Sequence, residues 1–140
     1  MKKNKKYLLD TNTLIEISAE TPCVIEHVLE VGAENCCMSV ISLHELYYGA
    51  YYAKTVKEAY FEKEMKLISK LLEKFSIVPL PDDAECYAKI KNMLREKGML
   101  IDEFDMIIAG QGIFEGLTVV TDNLKHFSRI PGLKIENWMK

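Results

Sequence analysis

Short apolar runs alternate with longer amphipathic stretches along the whole chain. Tyr7-Leu8-Leu9 is the first run, and it stops at Asp10-Thr11-Asn12-Thr13, a cluster of turn and helix-capping residues. That pattern predicts a buried strand feeding a helix start. Pro22 suits the first position of a helix over about 22–32, which Gly32 stops. Cys36 to Ile41 is a second apolar run, and Ser42 with Glu45 three residues on reads as a capping box opening a helix. Thr55 to Phe75 has helical periodicity, with Ala59, Phe61, Met65, Ile68 and Leu72 expected inward. Ser76-Ile77-Val78 reads as a third strand closed by Pro79. Asp82 is predicted to cap a helix reaching about Lys97, stopped by Gly98, and Asp102 another reaching about Phe114, stopped by Gly116. Leu117 to Thr121 is the fourth strand. Leu133-Lys134-Ile135, after the Pro131-Gly132 turn, reads as a fifth.

Strands alternating with helices predict an α/β fold, an open parallel sheet of four to five strands with helices on both faces. In such sheets ligands bind beyond the carboxyl ends of the strands. A length of 140 residues predicts one domain over 1–140, large enough to bury a core without staples. The 49% apolar and 28% charged shares exclude a disordered chain. No apolar run approaches the roughly 18 residues a membrane span needs. The opening Met-Lys-Lys-Asn-Lys-Lys leads into too short an apolar stretch for a secretory signal, so a cytoplasmic protein is expected. Cys23, Cys36, Cys37 and Cys86 lack metal-site spacing and are expected to be reduced, mostly core residues.

The formal net charge of −3 at first argues against a nucleic-acid partner, whose footprint is a basic patch. The charge is uneven, however. Lys2, Lys3, Lys5 and Lys6 crowd the first six residues, so the rest of the chain is more acidic than the total implies. Where those acids fall matters more than their sum.

Asp10 directly follows the first strand, where it is either a helix cap or a site residue. Glu45 is explained by the capping box, yet its helix neighbours are Ile41, Tyr48 and Gly49 rather than a charged face. Gly49, one turn on, leaves room beside its carboxylate. Asp105 would sit at the third helical position after the Asp102 cap, with Ile101 and Met106 as a hydrophobic staple. It shares its face with Ile108, Ala109 and Gly112 on a helix apolar almost all round, and such a helix is buried. A carboxylate there needs a cation, a metal or hydrogen-bond donors. Glu103 points elsewhere and reads as a solvated first-turn acid. Asp122 and Asn123 follow the fourth strand, either as a turn or as part of the same edge.

Each acid has a capping or turn explanation; for the expected convergence of three or four oxygen-bearing groups at one sheet edge that explanation is weaker. Packed carboxylates raise one another's pKa. A hard divalent cation removes that conflict, and Mg2+ or Mn2+ suits one or two carboxylates plus waters, leaving room for a phosphate. The sequence holds no Walker A, GxGxxG or GxSxG motif and no Cys/His cluster. His44 lies beside Glu45 but faces another way and reads as structural.

These residues resemble the PIN-domain family, and within it the VapC-type toxin ribonucleases of type II toxin–antitoxin systems. Tyr7-Leu8-Leu9-Asp10-Thr11-Asn12 is similar to the family's opening motif. Ser39 to Gly49, with Glu45 in the acidic place, resembles the second. Asp105-Met106-Ile107-Ile108-Ala109 resembles the third, and Leu117 to Asn123 with Phe127, Ile130 to Leu133 and Asn137-Trp138 resembles the closing stretch. The resemblance implies a PIN-like three-layer α/β/α fold and a metal-dependent endoribonuclease. It implies Asp10, Glu45 and Asp105 as the catalytic, Mg2+- or Mn2+-holding acids. Thr11, Asn12 and Thr121 match positions that orient those carboxylates. Asn123 stands at the family's fourth acidic position, with Asp122 one residue early, and the number of metals stays open. An RNA substrate, a small VapB-like antitoxin and a homodimer are implied as partners. The helix expected over Thr55–Phe75, with Tyr47, Tyr48, Tyr51 and Tyr52 before it, either offers a groove to the antitoxin tail or is ordinary core. Lys3, Lys5, Lys6, Lys125 and Arg129 either guide the RNA backbone or are solvated surface.

Two other readings stand beside this one. Leu9-Asp10-Thr11-Asn12-Thr13-Leu14 superficially resembles the opening motif of haloacid-dehalogenase-like phosphatases, with Asp10 as nucleophile, but Asn12 replaces the second Asp that class needs. A non-catalytic binding module, receiver-like or PIN-like, is the third.

Overall fold

The computed structural model describes residues 5–79 and 83–139. Three short strands with apolar residues on both faces, β1 (Tyr7–Leu9), β2 (Cys36–Ser39) and β4 (Thr118–Val120), form the middle of a five-stranded sheet. β3 (Ser76–Val78) and β5 (Ile135–Glu136) close its edges in the order β3-β2-β1-β4-β5, and every pairing is parallel. Alternation along each strand divides the interior. Leu8, Cys37 and Val119 pack with Ile90, Leu94, Met106 and Ile108 on one face. Leu9, Cys36, Met38 and Val120 pack with Leu14, Val24, Val28, Leu71 and Trp138 on the other. Continuous apolar strands are what a sheet covered on both faces requires.

The helices are α1 (Thr11–Ser18), α2 (Pro22–Val31), α3 (Val40–Val56), α4 (Glu58–Lys74), α5 (Ala84–Glu96), α6 (Glu103–Glu115) and the four-residue α7 (Leu124–Phe127). The expected three-layer α/β/α arrangement is what the chain adopts. Gly32 and Gly116 end α2 and α6 as expected. Gly110 lets α6 approach α5, because a Cβ there would stand 2.9 Å from the Tyr87 backbone nitrogen.

Several boundaries differ from the sequence expectations. The cap of α3 is Ser39, whose hydroxyl accepts from the Ile41 N–H at 3.0 Å, so the helix starts before Ser42 and no Ser42–Glu45 capping box forms. The helix expected over Thr55–Phe75 is instead a helical hairpin. Lys57 is extended, with φ −161° and ψ 133°, and separates α3 from α4. The β-branched pair Thr55-Val56 weakens the helix there, and the Thr55 hydroxyl bonds back to the Tyr52 carbonyl at 2.6 Å. Every residue from Tyr51 to Tyr60 except Ala53 is exposed, so Ala59 does not face inward as expected. Farther along α4, Leu71 is buried and Leu72 is exposed. Tyr48, Tyr51 and Tyr52 are exposed too, which removes the ordinary-core reading for them. The fifth strand lies later than Leu133-Lys134-Ile135, and Asp82, the expected cap of α5, is outside the described residues. Cys36 and Cys37 are buried free thiols, whereas Cys23 and Cys86 are partly buried. No helix among the described residues is long and apolar enough to cross a membrane.

Candidate active site

β1 lies at the centre of the strand order. The chain moves from it outward to β2 and β3 on one side, then returns to β4 and β5 on the other. Such a reversal opens a crevice at the carboxyl ends of the strands. Asp10 sits there, leaving β1 through its own N–H bond to the Val120 carbonyl at 3.0 Å. It caps α1 as well, since Oδ1 accepts from the Thr13 N–H at 2.9 Å. The capping role and the site position therefore coexist in one side chain. Asp10 is 5% exposed, with Thr13 and Thr121 still more deeply buried beside it. Burial pushes its carboxyl up, hydrogen bonds from Thr121 and Thr13 pull it down, and the nearby Asp122 charge adds to the rise.

Glu45 reaches the same crevice from α3. Its Oε1 accepts from the Thr11 hydroxyl at 2.6 Å, and Ser42 Oγ lies 3.0 Å from that hydroxyl. Ser42 thus serves the site rather than the cap assigned to it from sequence. Burial raises the Glu45 carboxyl, the Thr11 bond lowers it, and Asp102 and Asp10 raise it further.

Asp105 enters from the first turn of α6. Asp102 is the cap of that helix, with Oδ2 accepting from the Phe104 N–H at 3.1 Å, so Asp105 is left free for other work. Burial, then the charges of Asp102, Asp10 and Glu45, push its carboxyl up to about 6, against a weak bond from Asn123. Asn123 Nδ2 lies 3.5 Å from Asp105 Oδ2 and 2.9 Å from His126 Nδ1. Thr121 Oγ1 accepts from the Asn123 N–H at 2.9 Å and fixes that turn. Asn12 donates to Asp122 at 3.3 Å, joining the openings after β1 and β4.

The acids and polar residues singled out from sequence therefore meet at one edge. Sequence explains Asp102 as a cap alone, yet its charge acts on both Glu45 and Asp105. Its place three residues before Asp105, one helical turn, is the signal that could have found it. Glu103 points away from the edge, as expected. It is not merely solvated, since it pairs with Lys91 at 2.9 Å and accepts from the Tyr87 hydroxyl. His44 is exposed, and its Nδ1 lies 2.7 Å from the Val40 carbonyl. Lys5 and Lys6 precede β1, at the end of the sheet opposite Asp10, and Lys5 donates to the Glu34 carbonyl. Arg129 donates to the carbonyls of Met99 and Leu100, which gives it a loop-holding role. Lys3 lies outside the described residues.

None of Asp10, Glu45 and Asp105 forms an ion pair with a lysine or arginine among the described residues. Three mutually repelling carboxylates without such a counterion suit a hard cation. Among the described residues, no group of three or more His, Cys, Asp or Glu is arranged so that it could hold a metal ion as the side chains stand. The chemistry of carboxylates without a basic partner would suit an ion that needs only one or two of them and keeps several waters, as Mg2+ does.

The model of the PIN domain matches residues 7–133, which takes in the whole sheet edge just described except the last strand. The chain belongs to the PIN-domain family. Membership decides against the phosphatase and receiver readings of Asp10. Among relatives of this PIN domain, ribonuclease VapC2 of Haemophilus influenzae is 36% identical over 135 residues, covering 96% of this chain and 98% of the relative. The tRNA(fMet)-specific endonuclease VapC of Salmonella typhimurium is 33% identical, with 95% and 98% covered. A crystal structure of DNA-bound VapBC from Salmonella typhimurium superposes with a TM-score of 0.85 at 32% identity, covering 96% of this chain and 98% of that one.

Proposed function

We infer that this PIN domain is a VapC-type ribonuclease, the toxin of a toxin–antitoxin pair, hydrolysing RNA phosphodiester bonds in the acidic crevice. The observation that carries the reading is the convergence of Asp10, Glu45 and Asp105, without a basic partner, at the carboxyl edge of a parallel sheet. Whole-length likeness to VapC ribonucleases supports it. In this reading Asp10 and Asp105 hold Mg2+ or Mn2+, and Glu45 holds it through water or takes the proton of the attacking water. A bound divalent ion would supply charge neutralisation at the phosphate and a lowered pKa for the attacking water. Thr11 holds Glu45 by its 2.6 Å bond. Thr121 and the Thr13 N–H hold Asp10. Asn123 steadies Asp105, and Asn12 keeps Asp122 beside the opening.

The partner in this reading is a small VapB-like antitoxin, and the active form is a homodimer. The VapBC complex superposed above supports an antitoxin partner. Residues 1–140 act as one nuclease domain in the cytoplasm. The test is cleavage of RNA by the purified protein in Mg2+, in Mn2+ and in EDTA. Metal-dependent cleavage should vanish in Asp10→Asn and in Asp105→Asn, with circular dichroism unchanged. Cleavage that persists in both variants would remove the assignment. Growth arrest on expression, relieved by a small neighbouring reading frame, tests the toxin role separately.

A further inference from the structure

α3 continues past Glu45 into a surface that the acid site does not use. Tyr48, Tyr52 and Val56 follow Glu45 on the helix and are 72%, 62% and 67% exposed. At 3.6 residues per turn, Tyr52 returns to within about 20° of the Glu45 direction, roughly 10 Å farther along the axis. Gly49 lies between them, and a Cβ there would meet nothing within 4 Å. The way from the carboxylate to Tyr52 is therefore open at that position. The Tyr48 and Tyr52 rings stand side by side, with centroids 6.4 Å apart and planes tilted by 35°.

Cations lie over the neighbouring rings of Tyr51, Phe61 and Tyr60 rather than over Tyr48 and Tyr52. Lys54 Nζ lies 4.8 Å from the Phe61 centroid and 5.9 Å from that of Tyr51, and Lys57 Nζ lies 5.8 Å from that of Tyr60. From Tyr47 to Tyr60 the charged residues are Lys54, Lys57 and Glu58, so this stretch is net positive in a chain of net charge −3. A surface meant for tight apolar packing favours Leu, Ile and Phe. Exposed tyrosines instead offer a flat apolar face with a wettable rim. Exposed aromatic faces on a net-positive stretch match unpaired nucleotides, whose bases stack on such rings whatever their sequence.

We propose that Tyr48 and Tyr52 form a stacking platform for unpaired bases of single-stranded RNA flanking the phosphate at the acids. The proposal deepens the ribonuclease reading and rests on it. It also supplies what the acidic edge lacks, a sequence-tolerant grip on the substrate beside the bond to be cut.

The test compares the wild-type protein with the double variants Tyr48→Ala/Tyr52→Ala and Tyr48→Phe/Tyr52→Phe, all checked by circular dichroism. Two probes are used in Ca2+, a fluorescein-labelled mixed-sequence single-stranded RNA and an abasic ribose-phosphate oligomer of equal length. Wild type should bind the base-bearing probe about tenfold more tightly than the abasic one. The alanine pair should lose that preference and raise KM for RNA cleavage by about tenfold, with kcat changed less than about twofold. The phenylalanine pair should behave as wild type. An alanine pair that keeps both the preference and the KM overturns the platform, while wild-type cleavage leaves the ribonuclease reading standing. An alanine pair that runs as a monomer where wild type is a dimer assigns the face to a second copy instead. A wild-type protein that cleaves no RNA in Mg2+ or Mn2+ takes down both readings.

Discussion

Asp105 carries the sharpest electrostatic signature in the molecule. Burial and the charges of Asp102, Asp10 and Glu45 hold its carboxyl at about 6. An unfolded chain releases that proton near pH 4, so between about 4 and 6 the folded state binds more protons than the unfolded one. Stability should therefore fall as pH rises through that window. With EDTA present, the melting temperature should decline from about pH 4 to 6, and Asp105→Asn should flatten the decline. A wild-type profile already flat there would refute the electrostatic account of the site. Saturating Mg2+ should also flatten it, because metal and proton compete for the carboxylates. Thr11 offers a second residue-scale test. Its only proton goes to Glu45 at 2.6 Å, so Thr11→Val leaves that carboxylate without its donor. Supports of this kind cost about 10- to 100-fold in metal affinity or activity when lost. The loss should be read as kcat/KM for RNA at fixed Mg2+, alongside a circular dichroism spectrum that stays unchanged.

At the scale of elements, α3 shows what local sequence could and could not disclose. Ser39 and Ser42 are both plausible caps, and Glu45 three residues after Ser42 made the later one more convincing. The parallel register decided otherwise, since β2 ends at Ser39 opposite Val78 and the chain turns into helix at once. Ser42 was thereby freed to contact Thr11, a partner 31 positions away that no local pattern reveals. Ser39→Ala should cost about 1 kcal/mol in urea unfolding, the usual loss for a helix cap. Strands and acids were legible because their signals are local: Leu8 and Leu9, for example, face opposite cores and end at Asp10. The hairpin break at Lys57 left only a weak local mark, the β-branched Thr55-Val56 pair within an otherwise helical periodicity, and the charge of Asp102 was masked by its own capping role one turn before Asp105. Gly110 is another such case. Its sequence context is an apolar helix, yet the Tyr87 backbone lies where a Cβ would go. Gly110→Ala should lower stability by about 1–3 kcal/mol through overpacking of α5 against α6, measured by the same unfolding curves.

For the whole molecule, a net charge of −3 has two consequences that pull in opposite directions. The like charges of Asp10, Glu45, Asp105 and Asp102 strain the metal-free protein, because each raises the cost of ionising its neighbours. The same cluster gives the fold a reason to bind a cation, and a ligand that binds only the folded state stabilises it by mass action. Function and stability then trade against each other at one sheet edge. Asp10→Asn and Asp105→Asn should accordingly melt higher than wild type in EDTA near pH 7.5, while wild type alone should gain several degrees on addition of millimolar Mg2+. Differential scanning fluorimetry with and without Mg2+ reads both effects. Asparagine variants that melt below wild type in EDTA would mean the carboxylates are held by favourable contacts rather than strained by one another. The acidic excess would then lose its link to the metal, and RNA binding would have to be carried by another part of the surface.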